Sequence, residues 1–109
     1  MSAVFTDANF DSLVLNADKL SIVDFWATWC PPCIAIGPSI DALATDFEGH
    51  VNVGKLNADE NPQVSVTYGI TNLPCVLFIF NGKVVDKMVG AASKSAYQQK
   101  VRKLLELHA

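Results

Sequence analysis

The sequence predicts an α/β domain in which helices cover both faces of a mixed β-sheet. Two observations predict this class: strand and helix patterns alternate first, and a hairpin of two strands follows near the end. The chain has 109 residues, of which 50% are hydrophobic and 17% charged, so one core can form without disulfide staples. We therefore expect residues 1–109 to form a single domain.

The first elements follow from a helix cap and an apolar run. A helix is predicted to open at Thr6, a favoured N-cap residue, with Phe10, Leu13 and Val14 on one face. Residues 20–27 (LSIVDFWA) are almost continuously apolar, as in a strand that is buried on both faces of a sheet.

The middle of the chain adds two helices and a strand. A helix is predicted over residues 32–47, ending near Gly49, and a second core strand over residues 51–57. Residues 62–68 suit a short helix, with a proline in its first turn and Gly69 as its C-cap.

A hairpin and a helix complete the predicted fold. The apolar run of residues 75–80 leads through Asn81-Gly82, a strong hairpin signal, into an edge strand over residues 83–89. The last helix is predicted to follow Gly90 with Ser93 as its N-cap. Its apolar stripe has helical spacing and contains Tyr97, Val101, Leu104, Leu105 and His108.

Charge and composition exclude several functional classes. A net charge of −3 and a pI near 5.1 argue against a nucleic-acid surface, which would need a basic face. There is no basic amphipathic helix and no apolar run long enough to span a bilayer, so we expect no membrane partner. The first residues lack the features of a signal peptide, and the three cysteines are few, so a reducing cytoplasm is the expected location.

Two cysteines, Cys30 and Cys33, enclose two prolines where the first core strand turns into a helix. A helix N-terminus stabilises a thiolate, so Cys30 is the natural attacker of a disulfide, and Cys33 lies close enough to release the product. A zinc site needs about four ligands, and His50 and His108 lie in unrelated segments. A purely structural disulfide would stabilise little across so short a loop. The pattern therefore indicates a redox pair without a metal.

Seven segments together resemble the thioredoxin family over essentially the whole chain: WCPPC after VDFWATW, Gly37-Pro38, KLNADENP, YGI, Leu-Pro before a strand, FNGK and VGA. The resemblance implies the thioredoxin fold. It also implies a protein-disulfide reductase, an electron carrier that reduces client disulfides through the Cys30–Cys33 dithiol. An NADPH-dependent thioredoxin reductase would reduce the disulfide of such a protein back to the dithiol. The protein would bind no cofactor and would act as a monomer.

The resemblance also assigns roles to single residues. Cys30 would be the exposed nucleophile, and Cys33 the buried thiol that resolves the mixed disulfide. Asp24 would be the buried carboxylate that helps to deprotonate Cys33. A carboxyl group in so apolar a strand should have a raised pKa, although an Asp at a strand end that faces water is the alternative. Lys55 would bring its ammonium towards Asp24, or else is an ordinary lysine whose stem covers the sheet.

A contact surface for clients is implied around the dithiol. Pro74 would be the cis-proline that faces the cysteines, and Leu73 would offer its backbone to an extended client segment. The surrounding surface would comprise Trp29, Pro31, Pro32, Ile70, Gly90 and Ala91.

Three residues depart from the family pattern. Pro31 replaces the usual glycine, Ile34 replaces a lysine or arginine, and Cys75 replaces the threonine that usually follows the cis-proline. Cys75 is either a small buried residue or a third thiol near the pair, able to form another disulfide or to complete a metal or iron–sulfur site. Two alternative functions therefore stay open: an oxidant or isomerase of protein disulfides, and a non-catalytic module that docks a partner or holds a cluster.

Overall fold

The computed structural model describes residues 2–108 and contains a five-stranded mixed sheet in the order β1-β3-β2-β4-β5. The strands are β1 Ala3–Phe5, β2 Leu20–Trp26, β3 Val51–Asn57, β4 Cys75–Phe80 and β5 Lys83–Val89. Strands β1 and β2 run parallel to β3, whereas β4 runs antiparallel to both β2 and β5. The predicted mixed sheet, with a hairpin at its edge, is confirmed.

Helices lie on both faces of this sheet. Helices α1 (Pro31–Asp46) and α3 (Lys94–Leu107) share one apolar cluster with one face of the sheet. A short π-helical segment, Asp11–Leu15, and α2 (Pro62–Thr67) contribute to the cluster on the opposite face. The fold class is therefore the one predicted. Within residues 2–108, no helix is long and apolar enough to cross a membrane.

The side chains of β2 are divided between the two faces of the sheet. Leu20 and Ile22 belong to the cluster under α1 and α3, whereas Val23 and Phe25 belong to the opposite cluster. Because successive side chains of a strand point to opposite faces, Asp24 lies on the face of α1 and α3. This places a carboxyl group under the beginning of α1.

The N-terminal region differs from the prediction. Thr6 does act as a cap, since its Oγ1 accepts a hydrogen bond from the Asn9 N–H at 3.2 Å, but the helical segment begins only at Asp11. Of the three residues predicted to share one helix face, Phe10 and Val14 are buried, whereas Leu13 is 44% exposed. Strand β1 was not predicted, because three residues are too few to show a strand pattern.

The later elements were predicted closely. Asn81 and Gly82 have φ angles of 52° and 76°, as a type I′ hairpin turn requires. The hydroxyl of Ser93 accepts the Ala96 N–H at 3.1 Å and caps α3. Strand β2 ends at Trp26 and helix α1 begins at Pro31, one residue earlier in each case than predicted.

Candidate active site

The turn between β2 and α1 positions the two cysteines. Cys30 is the N-cap of α1, and its N–H donates to the carbonyl of Ala27 at 3.2 Å. Since Pro31 and Pro32 have no N–H, the first N–H group of α1 belongs to Cys33, and it donates to the Cys30 sulfur at 3.3 Å. The proline pair thus leaves the Cys33 N–H as the first helix donor, and it is aimed at Cys30.

Cys30 and Cys33 are joined by a disulfide, with their Cα atoms 5.3 Å apart. Both are buried, with 5% and 2% of their surface exposed, so the expectation of an exposed Cys30 is wrong for this disulfide form. The reason is local packing: the pair forms a small apolar cluster with Ala27, against which Trp26 and Leu73 also pack. Little of the Cys30 surface is therefore accessible to a client in this form.

Asp24 is a buried carboxyl group beside the disulfide. Only 1% of it is exposed, and its Oδ1 has no hydrogen-bond partner among the described residues, so the alternative of an Asp facing water is wrong. Burial raises the pKa of Asp24 from 3.8 to about 7, partly offset by the positive charge of Lys55 and reinforced by the negative charge of Asp41. Asp24 and Cys33 line one cavity of about 320 Å³. This carboxyl group can therefore gain or lose a proton near neutral pH next to a cysteine.

Lys55 lies opposite Asp24 in the parallel register of β2 and β3, and it lines the same cavity. Its ammonium, however, forms a salt bridge with Asp41 on α1, at 3.1 Å from Oδ1. The Ser2 hydroxyl donates to the same oxygen at 2.6 Å. Asp41 was not predicted as a site residue, because its link to Lys55 exists only once α1 packs over β3.

The loop before β4 packs against the cluster of the two cysteines through Leu73. The peptide bond between Leu73 and Pro74 is cis, as expected from the resemblance, and Pro74 is buried. The Pro74 carbonyl accepts the Gly90 N–H at 2.8 Å, which ties this loop to the end of β5. Gly90 has a φ of 85°, a conformation that favours glycine, while Ala91 beside it is exposed.

An apolar groove lies between α2 and Leu73, the residue that packs against the cluster of the two cysteines. Trp29, Ile70 and Leu73 line this groove of about 330 Å³. Trp29 is 67% exposed, and its indole N–H donates to Asp59 at 2.7 Å, which fixes the ring at the rim. The predicted surface residues Pro31 and Pro32 are also exposed.

Cys75 lies on the other face of the sheet from Asp24. It pairs with Phe25 across β2 and β4 and belongs to the same apolar cluster as that residue, with 3% of its surface exposed. Its thiol is free, and burial raises its pKa. Among residues 2–108, no three His, Cys, Asp or Glu side chains are grouped so that they could hold a metal. Cys75 thus does not join the pair in a three-sulfur site within one chain.

A helix-capping disulfide beside a buried carboxyl group and a cis-proline loop, after the C-terminal end of the central strand β2, defines a thiol–disulfide oxidoreductase. The chain belongs to the thioredoxin family, whose family model matches residues 1–103, and it is a protein-disulfide reductase. It is 51% identical to Thioredoxin 2 of Chlorobaculum tepidum over 96 residues, 88% of each chain.

More distant relatives match along most of this chain as well. Thioredoxin 1 of a Nostoc species is 42% identical over 104 residues, which are 95% of this chain and 97% of the relative. The chloroplastic M-type thioredoxin of Pisum sativum is 42% identical over 102 residues, 94% of this chain and 59% of the relative. The family match over residues 1–103 spans the segments that form the site described above.

Proposed function

We propose that Cys30 and Cys33 reduce client disulfides in two exchange steps. The Cys30 thiolate attacks one client sulfur, so that a mixed disulfide forms and the other client sulfur leaves as a thiolate. The Cys33 thiolate then attacks the Cys30 sulfur, which releases the second client thiol and leaves the Cys30–Cys33 disulfide. Two electrons pass to the client. The observation that carries this assignment is the hydrogen bond from the Cys33 N–H to the Cys30 sulfur, since such a donor stabilises a thiolate.

Asp24 is assigned the proton transfer of the second step. It lines the same cavity as Cys33, and with a pKa of about 7 it can accept the thiol proton as the Cys33 thiolate forms. Lys55 contributes a positive charge to this cavity, which favours the ionised form of Asp24.

The proposed client surface surrounds the disulfide. Trp29, Ile70 and Leu73 line an apolar groove, and Leu73 also packs against the cluster of the two cysteines. Leu73 precedes the first ladder residue of β4, Cys75, so its backbone is available to an extended client segment. The rest of the proposed surface comprises Pro31, Pro32, Pro74, Gly90 and Ala91.

The proposed partners are client proteins with disulfides and an NADPH-dependent thioredoxin reductase that returns the pair to the dithiol. We further propose that residues 1–109 act as one monomeric domain in a reducing cytoplasm. The cysteines alone carry the electrons in this scheme, so no bound cofactor takes part.

The test is a trapping experiment with Cys33→Ser. The reduced variant is mixed with a synthetic peptide disulfide, and adducts are identified by mass spectrometry. We expect a stable covalent adduct at Cys30, because the serine cannot displace it. The matched controls are Cys30→Ser, which should give no such adduct, and Cys75→Ser, which should turn over like the parent chain. Absence of the Cys30 adduct would contradict the assigned roles.

A further inference from the structure

The cavity next to Cys33 contains two carboxyl groups and one ammonium, and the ammonium binds the carboxylate on α1. We propose that Asp41 is a positioning residue for the reaction: its carboxylate holds the Lys55 ammonium and keeps it from pairing with Asp24. This inference rests on the proton-transfer role proposed for Asp24. It adds Asp41, which acts on Asp24 through Lys55.

The Lys55 ammonium can pair with either of two carboxylates, that of Asp24 or that of Asp41. Lys55 and Asp24 are register partners on adjacent strands, and side chains at such positions point to the same face. A lysine has a long, flexible stem, so its ammonium can reach a neighbour on the same strand pair or a helix above it. The ammonium lies 3.1 Å from Asp41, whereas Oδ1 of Asp24 has no hydrogen-bond partner among the described residues.

Solvation explains why Asp41 is the preferred partner. The side chain of Asp41 is 47% exposed, but only 1% of Asp24 is exposed, so an ion pair with Asp24 would require the ammonium to give up more water. The Ser2 hydroxyl donates to the Asp41 oxygen that binds Lys55, at 2.6 Å, which fixes the carboxylate. The ammonium also lies close to the backbone of α1, since a Cβ built at Gly37 would be in ordinary van der Waals contact with Nζ, at 3.5 Å.

The other titratable groups named below carry no positive charge that could replace the Lys55 ammonium. Its surroundings include groups from α1, β3, α3 and β4: Cys33, Asp41, Lys55, Tyr97 and Cys75. Tyr97 and Cys75 have raised pKa values, so both are neutral near pH 7, and Cys33 is bonded to Cys30 in this form. Lys55 is therefore the cation among these groups, and its charge opposes the effect of burial on Asp24.

The test measures Asp24 directly. The carboxyl carbon of Asp24 is titrated by NMR in the disulfide form of the parent chain, of Asp41→Asn and of Asp46→Asn. Asp46 is a matched control, because it lies on the same helix, carries the same charge and does not line the cavity. We expect Asp41→Asn to lower the Asp24 midpoint by about one pH unit, as a newly approaching cation does. Asp46→Asn should leave it unchanged, and an equal midpoint in all three proteins would overturn the proposal.

A second background separates positioning from simple repulsion between the two carboxylates. In Lys55→Gln, Asp41→Asn can act only by removing its own negative charge, so it should move the Asp24 midpoint much less than in the parent chain. The same shift in both backgrounds would overturn the positioning role, and so would loss of stability without any shift. If Asp41→Asn does not fold, Ser2→Ala loosens the same carboxylate and should move the midpoint in the same direction.

The effect of the shifted Asp24 midpoint on catalysis is measured as the rate of reduction of a peptide disulfide between pH 5 and pH 9. We expect the Asp41→Asn rate profile to shift to lower pH together with the Asp24 midpoint. A shifted midpoint with an unshifted rate profile, and an Asp24→Asn profile like that of the parent, would refute the proton role proposed for Asp24. The positioning of Lys55 by Asp41 would still stand, so the two failures are distinguishable.

Discussion

Replacing Asp24 with asparagine should remove a pH dependence of stability that comes from this one carboxyl group. Burial raises the Asp24 pKa from 3.8 to about 7, so between these values the folded chain holds a proton that the unfolded chain releases. Asp24 therefore stabilises the folded chain most at low pH. This stabilisation is lost as the pH rises towards 7, and it changes little above pH 7.

The size of the effect follows from the shift. Each pH unit between the two pKa values is worth about 1.4 kcal/mol, so the full loss is about 4 kcal/mol for a pKa raised from 3.8 to about 7. Between pH 5 and pH 8 the parent chain should lose about 3 kcal/mol through Asp24. Asparagine does not ionise. The free energy of unfolding of Asp24→Asn, minus that of the parent, should therefore grow by about 3 kcal/mol over this range.

The assay is denaturant unfolding of both proteins at pH 5 and pH 8 in the disulfide form. Using the difference cancels every contribution that the two proteins share, and Cys75 stays protonated because burial raises its pKa. Asp46→Asn, at an exposed position of α1, is the control for the loss of one negative charge. If the difference between Asp24→Asn and the parent is constant, the pKa of Asp24 is not raised and the reasoning fails.

Three further substitutions test the packing around the site. Cys75→Ser should lower the free energy of unfolding by about 1–3 kcal/mol, because a hydroxyl would enter an apolar cluster. It should leave the reduction potential of the dithiol unchanged, and a changed potential would contradict the placement of Cys75. Gly54→Ala should cost about 1–3 kcal/mol, because its Cβ would overlap the ring of Phe5; unchanged thermal stability would contradict this close approach. Trp29→Ala should raise KM for a peptide disulfide with little loss of stability, because Trp29 is 67% exposed at the rim; an unchanged KM would exclude the groove as a client contact.

The sequence predicted the elements that carry strong local patterns. The bounds of β3, β4 and β5 agree with the prediction, because apolar runs define them and Asn81-Gly82 defines the turn. The short strand β1 has no such pattern and is fixed only by its pairing with β3. The start of the first helix was misplaced, because Thr6 caps a turn that becomes regular only from Asp11.

Part of the site could be predicted from local sequence, and part needed the fold. The dithiol follows from the motif and its position after β2, and the buried Asp24 follows from its apolar neighbours. The salt bridge of Lys55 with Asp41 could not be predicted, since it depends on how α1 packs over the sheet. The face on which Cys75 lies depends on the register of β2 and β4, and a motif does not give that register.

The most direct test is the reduction potential of the Cys30–Cys33 pair. It can be measured by equilibrating the protein in defined thiol buffers and alkylating the free thiols, with Cys75 followed separately by mass spectrometry. For a disulfide reductase, we expect a potential below the glutathione poise of roughly −220 to −260 mV. A value near about −180 mV, as in protein disulfide isomerase, would mean that the chain donates or rearranges disulfides and would contradict its role as a reductant.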